Sequence, residues 1–414
     1  MKEDIINNLN NPAQLEKLYR SGKNRFRQDF IAVYPKISEN ATAQVWFERL
    51  NFGSENIFRG SARELVIILV ASFAAGVIAK LPDFTGWDAD MFYLRNIGFV
   101  LFPLLTFYFA WRQNLPLKII GIALVAMIIS LVYINLLPGK TDSHTMILAC
   151  LHLPLFLWAV TGFAFLGKDM NNPGKRLEYL RFTADLLIMG TLLGIAGVIF
   201  SGITIALFSL LDIPAEDYYF SYIGIWGLAA IPFIATYLVM TGPHLVSRIS
   251  PIIAKIFTPL VLVTLLVYLG MMIYTGKDPY NDREFLLMFN LLLLGVMALI
   301  LFALTGIPRD TAGKPGLIIL LILSALTVLV NGVALSAIIF RISEWGITPN
   351  RLAVLGSNIL MLANLLIVTF RLFKTLKNHH PVEMAENAIA RFLPVYIIWI
   401  MLVVFVFPVK FAFR

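Results

Sequence analysis

The chain has 414 residues, 59% of them hydrophobic and 14% charged, with a net charge of +8. Soluble domains run nearer one half apolar and one quarter charged, so a water-soluble globule is excluded and an all-α polytopic membrane bundle is expected. The basic excess then reads as topology-setting side chains and contacts to anionic headgroups, not as a nucleic-acid surface.

Residues 1–60 differ from the rest and read as a cytoplasmic amphipathic helical segment. A short helix is expected over Gln14–Arg20, closed by Ser21 and Gly22. A second runs from Asn24 to Tyr34, with Phe26, Phe30 and Ile31 on one face and Pro35 as its stop. A third covers Ser38–Leu50 and carries Val45 and Trp46. These apolar stripes must bury against each other, a membrane surface or a partner. No cleavable signal sequence precedes the first long apolar run, so that run is expected to serve as an uncleaved anchor.

Residues 61–414 read as a transmembrane helical domain. A crossing takes about 20 apolar residues, and the runs that qualify are 64–81, 92–111, 115–137, 145–166, 182–211, 219–241, 250–274, 284–305, 316–340, 350–373 and 389–409. That gives about eleven spans, the fifth overlong and expected to tilt or project. With the N-terminus placed inside, 24 of the 33 Lys and Arg fall on the cytoplasmic side and 9 outside. The positive-inside rule therefore sets a cytoplasmic N-terminus and a periplasmic or extracellular C-terminus. Asp83, Asp88, Asp90, Asp212, Glu216 and Asp217 gather outside.

Few polar residues lie within the spans. Asp185 is one turn in from the cytoplasmic edge; anchoring beside Arg181 is the leading reading, a proton or ion site the alternative. His152 precedes Pro154 in the fourth span. It either donates to a carbonyl freed by that proline or relays protons. Asn331, Asn358 and Asn364 lie near mid-depth in the ninth and tenth spans, where such amides either join helices or line a polar path for a solute or ion. The fifth span carries Gly190-x-x-x-Gly194 and Gly202-x-x-x-Ala206, which permit close approach and mark it as a candidate central element.

The most distinctive stretch is Arg341-Ile342-Ser343-Glu344-Trp345-Gly346-Ile347-Thr348-Pro349-Asn350-Arg351. Arg341 and Glu344 are spaced to pair on a helix. Gly346 suits a left-handed cap, Thr348 an N-cap and Pro349 a first turn, so a tight helix–turn–helix corner is expected, with Trp345 as an interfacial anchor. This stretch resembles the Arg-x-x-Glu-aromatic-Gly-(Leu/Ile)-Thr-x-x-Arg signature of a bacterial membrane family, "domain of unknown function 4153", and the polytopic layout over residues 60–410 is similar to that family as well. The resemblance implies a protein of the bacterial inner membrane and brings no substrate, activity or catalytic residue with it.

No P-loop, Gly-x-Ser-x-Gly or His-Glu-x-x-His motif occurs. The single cysteine, Cys150, excludes an intrachain disulfide, and the five histidines show no metal-ligand spacing. No catalytic residue, metal or cofactor is therefore expected. The expected partners are the lipid bilayer and a protein partner or a second copy of the chain. Two functions stand: a transporter- or permease-like protein with its path near the fifth, ninth and tenth spans, or a non-transporting assembly subunit that docks cytoplasmic proteins through residues 1–60. A lipid-modifying enzyme ranks third.

Overall fold

A computed structural model describes residues 2–21, 23–52, 60–138, 143–209, 214, 216–242, 249–275, 280, 283–305, 314–378 and 383–413. The chain divides into two compact units, Met1–Ser61 and Ala62–Arg414, and the described residues are almost entirely helical.

The first unit has four helices: α1 (Lys2–Asn7), α2 (Pro12–Ser21), α3 (Lys23–Ile37) and α4 (Ala41–Phe52). Ile5, Leu15, Phe26, Phe30, Val33, Ile37, Trp46 and Leu50 bury against one another, so the apolar stripes satisfy each other within the unit. Two details differ from the sequence reading. A short helix precedes the three expected, and α3 continues through Pro35. That proline sits in the last turn, where its missing N–H costs one hydrogen bond, while Val33 and Ile37 hold the turn to the core.

The second unit contains α5 (Ala62–Ala79), the short α6 (Leu81–Thr85), α7 (Ala89–Arg112), α8 (Leu117–Leu136), α9 (His144–Leu166) and α10 (Pro173–Ser209). It continues with α11 (Glu216–Thr241), α12 (Ile249–Thr275), α13 (Arg283–Thr305), α14 (Lys314–Trp345), α15 (Pro349–Asn378) and α16 (Met384–Lys410). Among the described residues nine of these helices are long and apolar enough to cross a membrane; α12 and α13 hold the shorter described apolar segments Ile256–Val267 and Leu292–Leu301. Leu69, Val70, Phe73, Val125, Ile129 and Phe107 lie exposed on the bundle's outside, the side-chain pattern of a surface that meets lipid.

Polar contacts sort to two ends. At one, here the Arg112 end, Arg112 of α7 reaches Glu64 at the start of α5 and the Met240 carbonyl at the end of α11, and Gln113 donates to the Phe165 carbonyl at the end of α9. At the other, the Arg95 end, Arg95 donates to the Asn135 and Leu137 carbonyls closing α8. There too Ser143 donates to the Phe413 carbonyl, and Asn350, opening α15, meets His144, opening α9. Tyr280, between α12 and α13, lies 3.2 Å from Ser336 in the last part of α14. Successive long helices thus run antiparallel.

Small residues seat aromatic rings between helices. A Cβ on Gly76 of α5 would overlap the Trp226 indole of α11, and one on Gly356 of α15 would overlap Trp399 of α16. The small residues of α10 behave otherwise. A Cβ on Gly194, Gly197 or Gly202 would meet nothing within 4 Å, and only 6% of the most apolar stretch of α10 is buried, against 56% for α9. The small-residue half of this span is therefore not central; α10 packs through its first half, where Tyr179 and Phe182 join the core. A small-residue stripe permits close approach but does not supply the neighbour. At 37 residues α10 is also about 55 Å long, well beyond a hydrocarbon core of about 30 Å.

Candidate functional site

The three amides predicted from the sequence are fully buried, but they engage different neighbours. Asn331 of α14, with its amide oriented to satisfy both ends, donates to the Asn358 backbone carbonyl and accepts from the Leu362 N–H, each at 3.3 Å. Those two backbone groups lie four apart in α15, so the Asn331 amide straddles a single backbone hydrogen bond of its neighbour. Asn364 turns towards α16 and donates to the Tyr396 hydroxyl at 3.2 Å. Asn331 therefore ties α14 to α15, and Asn364 ties α15 to α16. Among the described residues, neither side-chain amide atom of Asn358 and not the Asn364 Oδ1 has a hydrogen-bond partner.

Asn364 and Tyr396 line a cavity of about 160 Å³, whose other walls are apolar side chains of α10, α13, α15 and α16, among them Leu180, Met297, Leu301 and Leu393. The volume suits a small molecule, and the lining suits one that is largely apolar with a single hydrogen-bonding group directed at Asn364 and Tyr396. The cavity holds no nucleophile, acid–base pair or cation-binding cluster. Among the described residues no group of three His, Cys, Asp or Glu side chains is placed to hold a metal ion.

The remaining sequence candidates lie apart from this cavity. His152 is half-buried in α9, and its Nδ1 lies 2.8 Å from the Leu148 carbonyl. That is its own helix one turn back, not the Cys150 carbonyl that Pro154 releases. The imidazole thus caps local backbone instead of bridging helices. Asp185 is half-buried in α10. Arg181, the neighbour expected to pair with it, sends its guanidinium across to both carboxylate oxygens of Glu386 in α16, at 3.1 Å each.

The 341–351 corner is built from caps. Gly346 takes φ +75°, a conformation glycine adopts without strain. The Thr348 hydroxyl accepts from the Arg351 N–H, which makes it the N-cap of α15. Arg351 donates to the Trp345 and Gly346 carbonyls at 2.8 Å each, satisfying the open carbonyls at the end of α14. Arg341 and Arg351 both lie over the Trp345 ring, at 5.2 and 5.6 Å from its centroid. Trp345 thereby meets two cations at its ring. Glu344 is exposed beside them. No cavity opens onto these groups among the described pockets, and their arrangement accounts for a rigid turn.

Sequence reasoning did not find the buried charges at the bundle's ends. Glu64, 7% exposed, accepts from the Tyr108 hydroxyl at 2.6 Å and pairs with Arg112, which also donates to Tyr108 at 2.8 Å. At the other end Lys80, 2% exposed, pairs with Asp83 and lies over the Tyr222 ring. The available signal was positional: Glu64 opens one span and Arg112 closes the next, which puts them at the same end.

The chain matches no family model, no curated protein and no solved structure. The protein is a helical bundle whose apolar helices define a membrane protein.

Proposed function

We propose that the protein crosses the bacterial inner membrane eleven times and is permease-like, with a small, mainly apolar solute bound in the Asn364–Tyr396 cavity. The observation that carries this reading is the cavity itself: it is lined by Asn364, a fully buried amide whose oxygen has no hydrogen-bond donor among the described residues. A buried carbonyl without a partner costs about 1–3 kcal/mol, a cost a ligand hydroxyl or amine would remove. The antiparallel order of the long helices supports eleven crossings if α12 and α13 also span, and the contact of Tyr280 with Ser336, near the Arg95 end of α14, is consistent with that count. The 24-to-9 split of basic residues supports the Arg112 end as cytoplasmic, and the likeness of Arg341–Arg351 to the family signature supports the bacterial location.

A cysteine placed at Leu301 in a Cys150→Ala background tests the cavity. A water-soluble maleimide should label it in intact membranes, and Asn364→Leu should change the labelling rate. A cysteine there that stays unlabelled from both sides sinks the permease reading. Alkaline phosphatase fused after Arg414 should be active; an inactive fusion would reverse the orientation or change the span count.

One observation favours a second reading, an assembly subunit. Met1–Ser61 is a compact unit with its own core, yet Ile31 and Val45 are 43% and 66% exposed on it. Deleting residues 1–61 should then abolish co-purification of a stoichiometric partner while the membrane unit still inserts.

A further inference from the structure

A second cleft lies where α15 finishes and α16 begins. It has a volume of about 340 Å³ and is lined by Ile367 and Arg371 of α15 and by Met384, Asn387, Ala388, Arg391 and Phe392 of α16. Helical periodicity separates it from the Asn364 cavity: the residues of α16 that line the two are disposed on opposite sides of that helix. Among the described side chains, the nearby carboxylate Glu386 is buried and pairs with Arg181.

Arg371 and Arg391 make no side-chain hydrogen bond or ion pair among the described residues. They stand at similar levels, seven residues before the end of α15 and about as many after the start of α16. Ile367 lies one turn deeper than Arg371, and Phe392 deeper than Ala388, both leading towards the apolar body of the helices. The first turn of α16 forms one wall, and helix N-termini favour anions. The cleft is therefore cationic at its mouth and apolar above, the order of a lipid's headgroup and acyl chains.

We propose that this cleft binds the phosphate group of an anionic phospholipid, with Arg371 and Arg391 as the paired donors, Asn387 as a neutral one, and Ile367 and Phe392 against the proximal acyl chain. Paired guanidiniums suit the planar, multidentate recognition of phosphate oxygens. The apolar walls favour a lipid over free phosphate. The proposal rests on these helices lying in a bilayer and is independent of what the Asn364 cavity holds.

The test uses the purified full chain in dodecyl maltoside micelles and fluorescent analogues of phosphatidylglycerol and phosphatidylcholine. Wild type should bind the phosphatidylglycerol probe more tightly than the phosphatidylcholine probe. Arg391→Gln, at an exposed position, should weaken the phosphatidylglycerol probe about five-fold, and Arg371→Gln by a similar factor. Lys118→Gln, at an exposed basic residue elsewhere, should change nothing. Millimolar inorganic phosphate should not displace the bound lipid probe. Equal binding of the two lipids by wild type overturns the proposal, as does an equal loss in Lys118→Gln, which would mean diffuse attraction. Displacement by inorganic phosphate at lipid-like concentrations would overturn the lipid assignment in favour of a free-anion site. Arg391→Gln decides the matter if Arg371→Gln does not fold.

Discussion

The two halves of the membrane unit are joined by different polar chemistry. In α5 to α11 charge ties the helices at their ends, Glu64 with Arg112 and Tyr108, Lys80 with Asp83, and Arg95 with the carbonyls closing α8, beside the neutral pairs Asn96–Asn135 and Thr106–Thr161. In α14 to α16 they are tied by neutral amides, Asn331 to the backbone of α15 and Asn364 to Tyr396. The difference follows from depth. A charge at mid-membrane costs several kcal/mol, whereas near a helix end it retains water and partners. An amide brings a donor and an acceptor with no Born penalty, so it can work at mid-depth, for about 0.6–2 kcal/mol per contact. Charges therefore fix which helix ends meet, and amides fix the rotation of one helix against the next.

The sharpest way to break this contrast is Arg112→Ala. It leaves Glu64, 7% exposed, without its guanidinium, and removing one partner of a buried pair costs about 3–5 kcal/mol. The outcome to measure is a large fall in the thermal midpoint of the detergent-solubilised chain. Replacing both members together, Glu64→Leu with Arg112→Leu, should recover much of that loss, because the penalty lies in burying the carboxylate without the guanidinium. A double variant no better than the single one would show that Tyr108 and the Met240 carbonyl depend on Arg112 itself.

The amide half is probed by a pair of substitutions with opposite expected signs. Asn331→Leu removes a bidentate contact and strands the Asn358–Leu362 groups no further than an ordinary helix does, so a loss of about 0.6–2 kcal/mol is expected. Asn358→Leu removes an amide whose two polar atoms are both buried and unpartnered. Relief of that burial predicts a gain of up to about 1–3 kcal/mol. Denaturation midpoints of both variants in the same micelle measure the signs. Destabilisation by Asn358→Leu would mean that this amide has an occupant, a water or a solute, and would extend the Asn364 cavity towards α14.

These contrasts also show what was legible in the sequence. Runs of about 20 apolar residues located the helices because bilayer thickness sets their length, and Gly346, Thr348 and Pro349 placed the α14–α15 corner because caps are local. The three mid-depth asparagines were found for the same reason: a polar residue in an apolar run is conspicuous. Their partners were not found, since a helix face is fixed by rotation and neighbours, and period alone gives neither. The Glu64–Arg112 contact was not found because it spans 48 residues of chain. Gly194 and Gly202 misled for the converse reason: they record what α10 permits, and the neighbour comes from the rest of the fold.

The smallest effect is expected where charge is solvated. In the first unit Arg20 and Arg49 flank Glu16 at 2.9 and 3.1 Å, tying α2 to α4. The hydrogen bond from Arg20, helped by the nearby Arg49 charge, holds the Glu16 carboxyl below its ordinary 4.5. A carboxylate lowered in the folded state binds its proton more tightly when unfolded, so this contribution is full above about pH 4.5 and is lost as pH falls through the folded value. Hydrogen exchange of residues 2–52, corrected for the intrinsic rate, should show protection falling on acidification in that window. Glu16→Gln should flatten the dependence and leave protection at neutral pH little changed, because exposed pairs contribute little and are screened by salt. A large loss of protection in Glu16→Gln at neutral pH would place this pair with the buried ones at the bundle's ends and would erase the distinction between solvated and buried charge drawn from Arg112.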